Sequence, residues 1–156
     1  QLSLFLQTIC ATGIRVSELK AITVESLKCC QARINSKGKV RIILIPAQLC
    51  YTLKRYYKKW GIVSGVVFIT KGGQPLDRSN IWREMHTLCT AARVSEKKVF
   101  PHNLRHLFAK MFYSIDKDIS RLSDILGHSS IDTTRIYIIE SGAEHRKKME
   151  NMRLLI

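Results

Sequence analysis

Residues 32–46 read ARINSKGKVRIILIP, and they decide the fold class because they interrupt a helical pattern that governs the rest of the chain. β-formers flank Ser-Lys-Gly-Lys, so the stretch predicts a hairpin with a basic tip at Lys37 and Lys39. Upstream, Leu2, Phe5, Leu6 and Ile9 recur at helical spacing until Thr12-Gly13, and Ile14, Leu19 and Ile22 predict a second helix. Downstream, a helix follows Pro46 to about Trp60, GVVFIT (65–70) and KGGQPL (71–76) make a short extended segment and a turn, and residues 79–93 read as another helix. Pro101 suits the first turn of the next one. Ile119, Leu122 and Ile125 mark a helix that stops at a left-handed Gly127, and Ser129 or Ser130 caps the helix that carries Tyr137. The expected fold class is mainly α with one small antiparallel β-sheet (α+β).

The 156 residues, 46% of them apolar, suit one globular domain over 1–156, and no repeat or linker divides them. Gln1 leads straight into a helix, which suggests a domain taken from a longer protein. Lys and Arg number 26 against 12 Asp and Glu, giving +14 spread along the chain. That surplus exceeds what solubility asks for and points to a polyanionic partner, nucleic acid ahead of an anionic membrane. No apolar run approaches the roughly 18 residues of a bilayer span, and QLSLFLQTIC (1–10) carries no basic leader, so a cytoplasmic protein without a membrane partner is expected. Five cysteines, at 10, 29, 30, 50 and 89, are odd in number and include no CxxC, so they read as reduced thiols without a disulfide frame or zinc site.

The chemistry gathers on the helix after Pro101. Its wheel sets Leu104, Leu107, Phe108 and Met111 on one side, read as the core face, and His102, Arg105, His106, Ala109 and Tyr113 on the other. Cleaving a phosphodiester without metal puts charge on two nonbridging oxygens, and a pair of guanidinium groups is the natural counterpart. Arg15, which follows ATG, and Arg105 are the candidates, although an ordinary pair with Glu18 would also explain Arg15. His102 shares the Arg105 face, and His128 follows the helix-ending Gly127. His102 and His106 are spaced to hold zinc, but Arg105 between them would set a cation beside the metal. A tyrosine, with an ordinary pKa near 10, needs neighbouring cations or a proton-accepting histidine before it attacks. Tyr51, Tyr56 and Tyr57 read as core or rim, and Tyr113 lies about 12 Å along the helix from Arg105. A hairpin lysine, Lys37 or Lys39, can supply the proton that a leaving oxygen requires.

Four blocks in order, ATGIRVSEL (11–19), SKGKVRIILIP (36–46), FPHNLRHLFA (100–109) and LGHSSIDTTRIY (126–137), resemble those of the tyrosine recombinases, or phage-type integrases. The resemblance covers nearly the whole chain and implies the catalytic-domain fold of that family. It implies that Arg15 and Arg105 clamp the scissile phosphate, His102 assists proton transfer, His128 hydrogen-bonds the phosphate and Tyr137 is the nucleophile. Lys37 matches the general acid, with Lys39 the alternative, and Glu18 the acidic residue that supports the site. The implied reaction breaks and rejoins DNA strands through a 3′-phosphotyrosyl link, with no cofactor, metal or ATP. The implied partners are double-stranded DNA and further copies of the protein, four on paired sites, with C-terminal segments exchanged. The amphipathic AEHRKKMENMRLLI (143–156) suits such an exchange or a fold back onto its own domain. Lys71, Arg78, Lys97, Lys98, Arg121 and Arg135 are the expected phosphate contacts along the DNA.

Other readings share parts of this pattern. A type IB topoisomerase uses similar chemistry to relax supercoils, and a non-catalytic DNA-binding module explains the charge but not the grouping of His102, Arg105, His128 and Tyr137. A metal-dependent nuclease would use Asp116, Asp118 and Asp124.

Overall fold

The computed structural model describes residues 1–36, 38–70, 72–95, 100–138 and 149–152, and of Lys39 the backbone only. Helices dominate it. α1 (Leu2–Thr12) buries Leu4, Phe5 and Ile9, with the Phe5 ring edge-on to Phe68 at 6.2 Å between centroids. It ends at Gly13, whose φ of 63° places it in the left-handed region and whose N–H returns to the Ile9 carbonyl. A side chain there would also drive a Cβ to 2.5 Å from the Phe108 ring, so the glycine lets two helices approach.

The predicted second helix is broken in two. A 3₁₀ helix spans Val16–Ala21 and α2 spans Val24–Lys28. The Glu18 carboxylate captures the Arg15 N–H at 2.9 Å, and Thr23 Oγ1 captures the Ser26 N–H at 3.1 Å, so local side-chain bonds start two short turns.

The hairpin forms as expected. β1 (Gln31–Ser36) and β2 (Lys39–Leu44) pair antiparallel with Ser36 opposite Lys39 and Ile34 opposite Arg41. Ala32, Ile34 and Ile43 turn into the core, while Val40, Ile42 and Leu44 face outward. α3 (Ala47–Lys59) then packs its Leu49 and Leu53 into the same core. One sequence expectation fails here. Cys30 and Cys50 are joined by a disulfide, with Cα atoms 5.8 Å apart. The hairpin returns the chain to its starting edge, where Ile45 N–H bonds the Cys30 carbonyl, and the first turn of α3 then brings Cys50 beside Cys30. No sequence spacing signals that closure.

The extended segment survives only as isolated bridges, Thr23 with Val66 and Ile69 with Pro75. α4 (Arg78–Ala92) follows, capped by Asp77 and contributing Ile81 and Met85 to the core. α5 (Pro101–Asp116), α6 (Ile119–Leu126) and α7 (Ile131–Ile138) enclose a second, smaller cluster of Ala109, Leu122, Leu126 and Tyr137. Ser130 caps α7, its hydroxyl accepting the Asp132 N–H at 3.1 Å. The buried face of α5 is not the apolar side of its wheel. Arg105 and Ala109 are its buried residues, whereas Leu107 and Met111 are 50% and 57% exposed. Leu104 and Phe108 keep partial contact with the two cores. Among the described residues no helix is long and apolar enough to cross a membrane.

Candidate active site

Three arginines converge on the C-terminal turn of α6, and its backbone explains why. Gly127, with φ of 65°, closes the helix: its N–H bonds the Asp124 carbonyl and the His128 N–H bonds the Ser123 carbonyl. The carbonyls of Ile125, Leu126 and Gly127 come after the last helical acceptor and need other donors. Arg41 Nη1 donates to Ile125 at 2.6 Å, Arg105 Nη2 to Leu126 at 2.6 Å and Arg15 Nη2 to Gly127 at 3.3 Å. The negative end of the α6 dipole thus faces three cations.

Arg105 is 2% exposed, and its Nη1 also donates to the Gly13 carbonyl at the end of α1. A buried guanidinium is tolerable here because carbonyls from two helix ends receive its protons. Burial, then repulsion from Arg15 and Arg41, lowers its pKa to about 10, so it remains a cation at neutral pH. Arg15 is more open to solvent, with Nη1 3.0 Å from Glu18 Oε1. The buried Glu18 carboxylate also receives Arg41 Nη2 at 2.5 Å, and therefore fixes two of the three arginines from behind.

Three histidines surround Tyr137, which is 6% exposed. His128 stacks on its ring at 5.4 Å, His106 meets it edge-on at 4.0 Å, and His102 lies 5.7 Å away. The Tyr137 Oη is 3.5 Å from His102 Nε2, a long contact for a hydrogen bond. His128 Nε2 is 3.1 Å from Arg105 Nη2, and its Nδ1 is 2.8 Å from Thr134 Oγ1. Burial, followed by the fields of Arg105, Arg15, Arg41 and His102, pushes the His128 pKa down to about 4. Partial burial, then Arg105 and Arg15, lowers that of His102 as well. Both rings are therefore neutral at pH 7, and His102 can accept a proton. A groove of about 1090 Å³ runs from Arg15 and His128 along Arg33, Asn35 and Ser36 of the hairpin to Lys20.

Of the residues singled out from the sequence, the structure gathers Arg15, Glu18, His102, Arg105, His128 and Tyr137 around one place. Lys37, Lys71, Lys97 and Lys98 lie outside the described residues, as does the Lys39 side chain at the start of β2. Arg78 opens α4 and is exposed. Arg121 and Arg135 are surface residues paired with Asp116 at 2.8 Å and Asp132 at 3.0 Å. Tyr113 packs against the smaller core with Lys117 Nζ 5.3 Å over its ring. Asp118 caps α6, and among the described residues no three His, Cys, Asp or Glu side chains are grouped to hold a metal.

Sequence reasoning missed Arg41 and Thr134. Both faces of β2 carry apolar side chains, so alternation gives no hint that Arg41 turns inward with Ile43. Thr134 looks like a generic helix residue, yet it is fully buried against His128.

Comparison with known proteins identifies the family. The model of the phage integrase family matches residues 1–143. The tyrosine recombinase XerH of Campylobacter jejuni is 35% identical over 140 residues, covering 86% of this chain and 40% of the relative. XerD of Staphylococcus saprophyticus is 33% identical over 153 residues, covering 91% and 51%. The chain spans about half the length of the curated relatives it matches, or less. Among solved structures, the XerA recombinase superposes with a TM-score of 0.80 at 26% identity, over 99% of this chain and 57% of the other. XerH bound to palindromic difH substrate in a post-cleavage complex gives 0.74 at 25% identity, over 88% and 41%. With a mainly helical fold, one antiparallel hairpin and a family match over most of its length, this chain belongs to the phage integrase family.

Proposed function

We propose that residues 1–156 act as the catalytic domain of a site-specific DNA recombinase that cuts and rejoins strands through Tyr137. The observation that carries this reading is the buried Arg105, held by two helix ends, with Arg15, His128 and Tyr137 packed around it. Arg15 and Arg105 would take the two nonbridging oxygens of a phosphodiester, where charge grows as the phosphorus becomes five-coordinate. Tyr137 Oη attacks phosphorus, His102 receives its proton, and the 5′-oxygen leaves as a hydroxyl protonated by Lys37 or Lys39 of the hairpin. A 3′-phosphotyrosyl bond has then replaced a 3′,5′-phosphodiester. Attack by the 5′-hydroxyl of a second strand reverses the exchange. One phosphoester is made for each one broken, so the chemistry balances without ATP, and the arginines supply the charge that a metal would otherwise bring.

The partner of this reading is double-stranded DNA, with further copies of the protein joined on paired sites; XerH, a relative in fold, is bound to palindromic difH substrate in its post-cleavage complex. Glu18 and Arg41 act through Arg15 and the α6 turn. The groove beside the hairpin accepts the strand flanking the phosphate, and Arg78, Arg121 and Arg135, with Lys71, Lys97 and Lys98, are the candidates for more distant phosphate contacts.

The test is covalent capture. The chain is incubated with a pool of nicked duplexes of randomised sequence that includes difH, and the products are run on a denaturing gel. A shifted protein–DNA band that Tyr137→Phe abolishes is expected. A band that persists in Tyr137→Phe, or cleavage that a chelator stops, contradicts the reading. Relaxation of plasmids without any preferred sequence would reassign the same chemistry to a topoisomerase.

A further inference from the structure

We infer that Thr134 is a positioning residue: it holds the Nδ1–H of His128, so that Nε2 faces the arginine clamp and is the ring atom that gains a proton when a phosphate enters. This rests on the recombinase reading only for the identity of the phosphate, since the ring geometry stands without it. A guanidinium has donors and no acceptor. Arg105 Nη2 lies 3.1 Å from His128 Nε2, so Nε2 is the nitrogen with the lone pair. The neutral ring then carries its single proton on Nδ1, and the atom placed to accept it is Thr134 Oγ1 at 2.8 Å.

The surroundings make that hydroxyl decisive. Thr134 is fully buried, so no water substitutes for it, and it lies one helical turn before Tyr137 on α7. The same threonine therefore ties the His128 ring to the helix that carries the phenol, against which the ring stacks. The groups that face His128 are Arg105 and His102 from α5, Arg15 before the 3₁₀ helix, Arg41 from β2 and Tyr137 from α7, with Glu18 behind Arg15 and Arg41. Burial, and then the three arginines, keep the resting ring neutral. A phosphate reverses the balance, because its oxygens take over the Arg105 N–H and leave Nε2 facing an acceptor. Nε2 can then hold its place only by binding a proton, which comes from solvent. One N–H bond forms as one O–H bond of a hydronium ion or a buffer acid breaks. If Nδ1 were not already committed to Thr134, the ring could instead turn its existing proton toward the phosphate and leave a bare nitrogen buried on α7.

Nitrogen NMR of this chain, labelled at histidine, reads the two ring atoms separately. At pH 7 the expected spectrum has His128 protonated at Nδ1 and bare at Nε2. Saturation with inorganic phosphate should protonate Nε2 and leave Nδ1 unchanged. Thr134→Val, which fills the same space without the oxygen, should mix the tautomers and weaken the phosphate response, and Thr134→Ser should restore both. A resting proton on Nε2 overturns the inference, as does a phosphate-saturated ring that stays bare at Nε2. A Val variant with the parent's two spectra overturns it too, and if that variant does not fold, the parent's own spectra decide. A chain that forms no Tyr137 adduct yet shows these spectra would sink the functional reading and leave the role of Thr134 standing.

Discussion

α1 and α5 lie against each other and obey different rules of burial. In α1 the apolar side chains Leu4, Phe5 and Ile9 go inward, and a helical wheel finds them. In α5 the inward residues are an arginine and an alanine, while Leu107 and Met111 face solvent. Hydrophobicity decides the first helix. Acceptors decide the second, because the ends of α1 and α6 offer carbonyls that a guanidinium satisfies and a leucine would leave bare. A polar residue is thus buried where backbone has already been prepared for it, and the preparation is done by the left-handed residues Gly13 and Gly127.

The contrast can be broken from either side. Phe5→Ala should cost about 3 to 5 kcal/mol of unfolding free energy by denaturant titration, the usual loss for an aromatic removed from a core. Arg105→Lys keeps a charge but cannot reach both helix ends. It should lower strand cleavage by on the order of 3 to 4 kcal/mol in activation free energy, as loss of a transition-state donor does. Gly127→Ala places a Cβ 2.6 Å from Arg41 Cδ at a φ of 65°. Strain alone should cost about 1 to 2 kcal/mol in a thermal melt, and Arg41 should leave its carbonyl. At the small end, Met111→Gln should change stability by less than about 0.5 kcal/mol, although the wheel calls that position core.

A pH scan sharpens the same comparison, since the α5–α6 side carries the depressed histidines His102, His106 and His128. The folded-state pKa of His128, about 4, lies below its ordinary value of 6.5, so between these limits the unfolded chain binds more protons than the folded one. The ring's neutral form supports folding fully above pH 6.5, and this support is lost as pH falls toward 4. His128→Gln should flatten the decline of Tm across that window. An unchanged slope would mean that the ring is not held neutral by burial beside its arginine neighbours.

Much of the fold was legible in the chain, and most of what was not shares one cause. Helix starts, the hairpin and both glycine stops follow from local rules: periodicity, β-formers around a turn, and residues that tolerate positive φ. The site blocks stood out because four stretches, holding Arg15, His102, Arg105, His128 and Tyr137 among them, resemble in order those of a known family. The second helix failed locally, broken by the side chains of Glu18 and Thr23, but the other failures depended on contacts between elements distant in sequence. The buried face of α5 is set by carbonyls 92 and 21 residues away, Arg41 by one 84 residues away, and the Cys30–Cys50 bridge by closure of the hairpin. No periodicity encodes where another helix will end.

The central claim is that one phosphorus atom sits where Arg15, Arg105 and His128 meet, within reach of the Tyr137 oxygen. Peptide mapping by mass spectrometry of the covalent protein–DNA species tests it most directly. The expected result is a nucleotide attached to the peptide containing Tyr137, reduced in yield by Arg15→Ala and by Arg105→Lys. Attachment to Tyr113, or to any residue outside α7, would contradict the account.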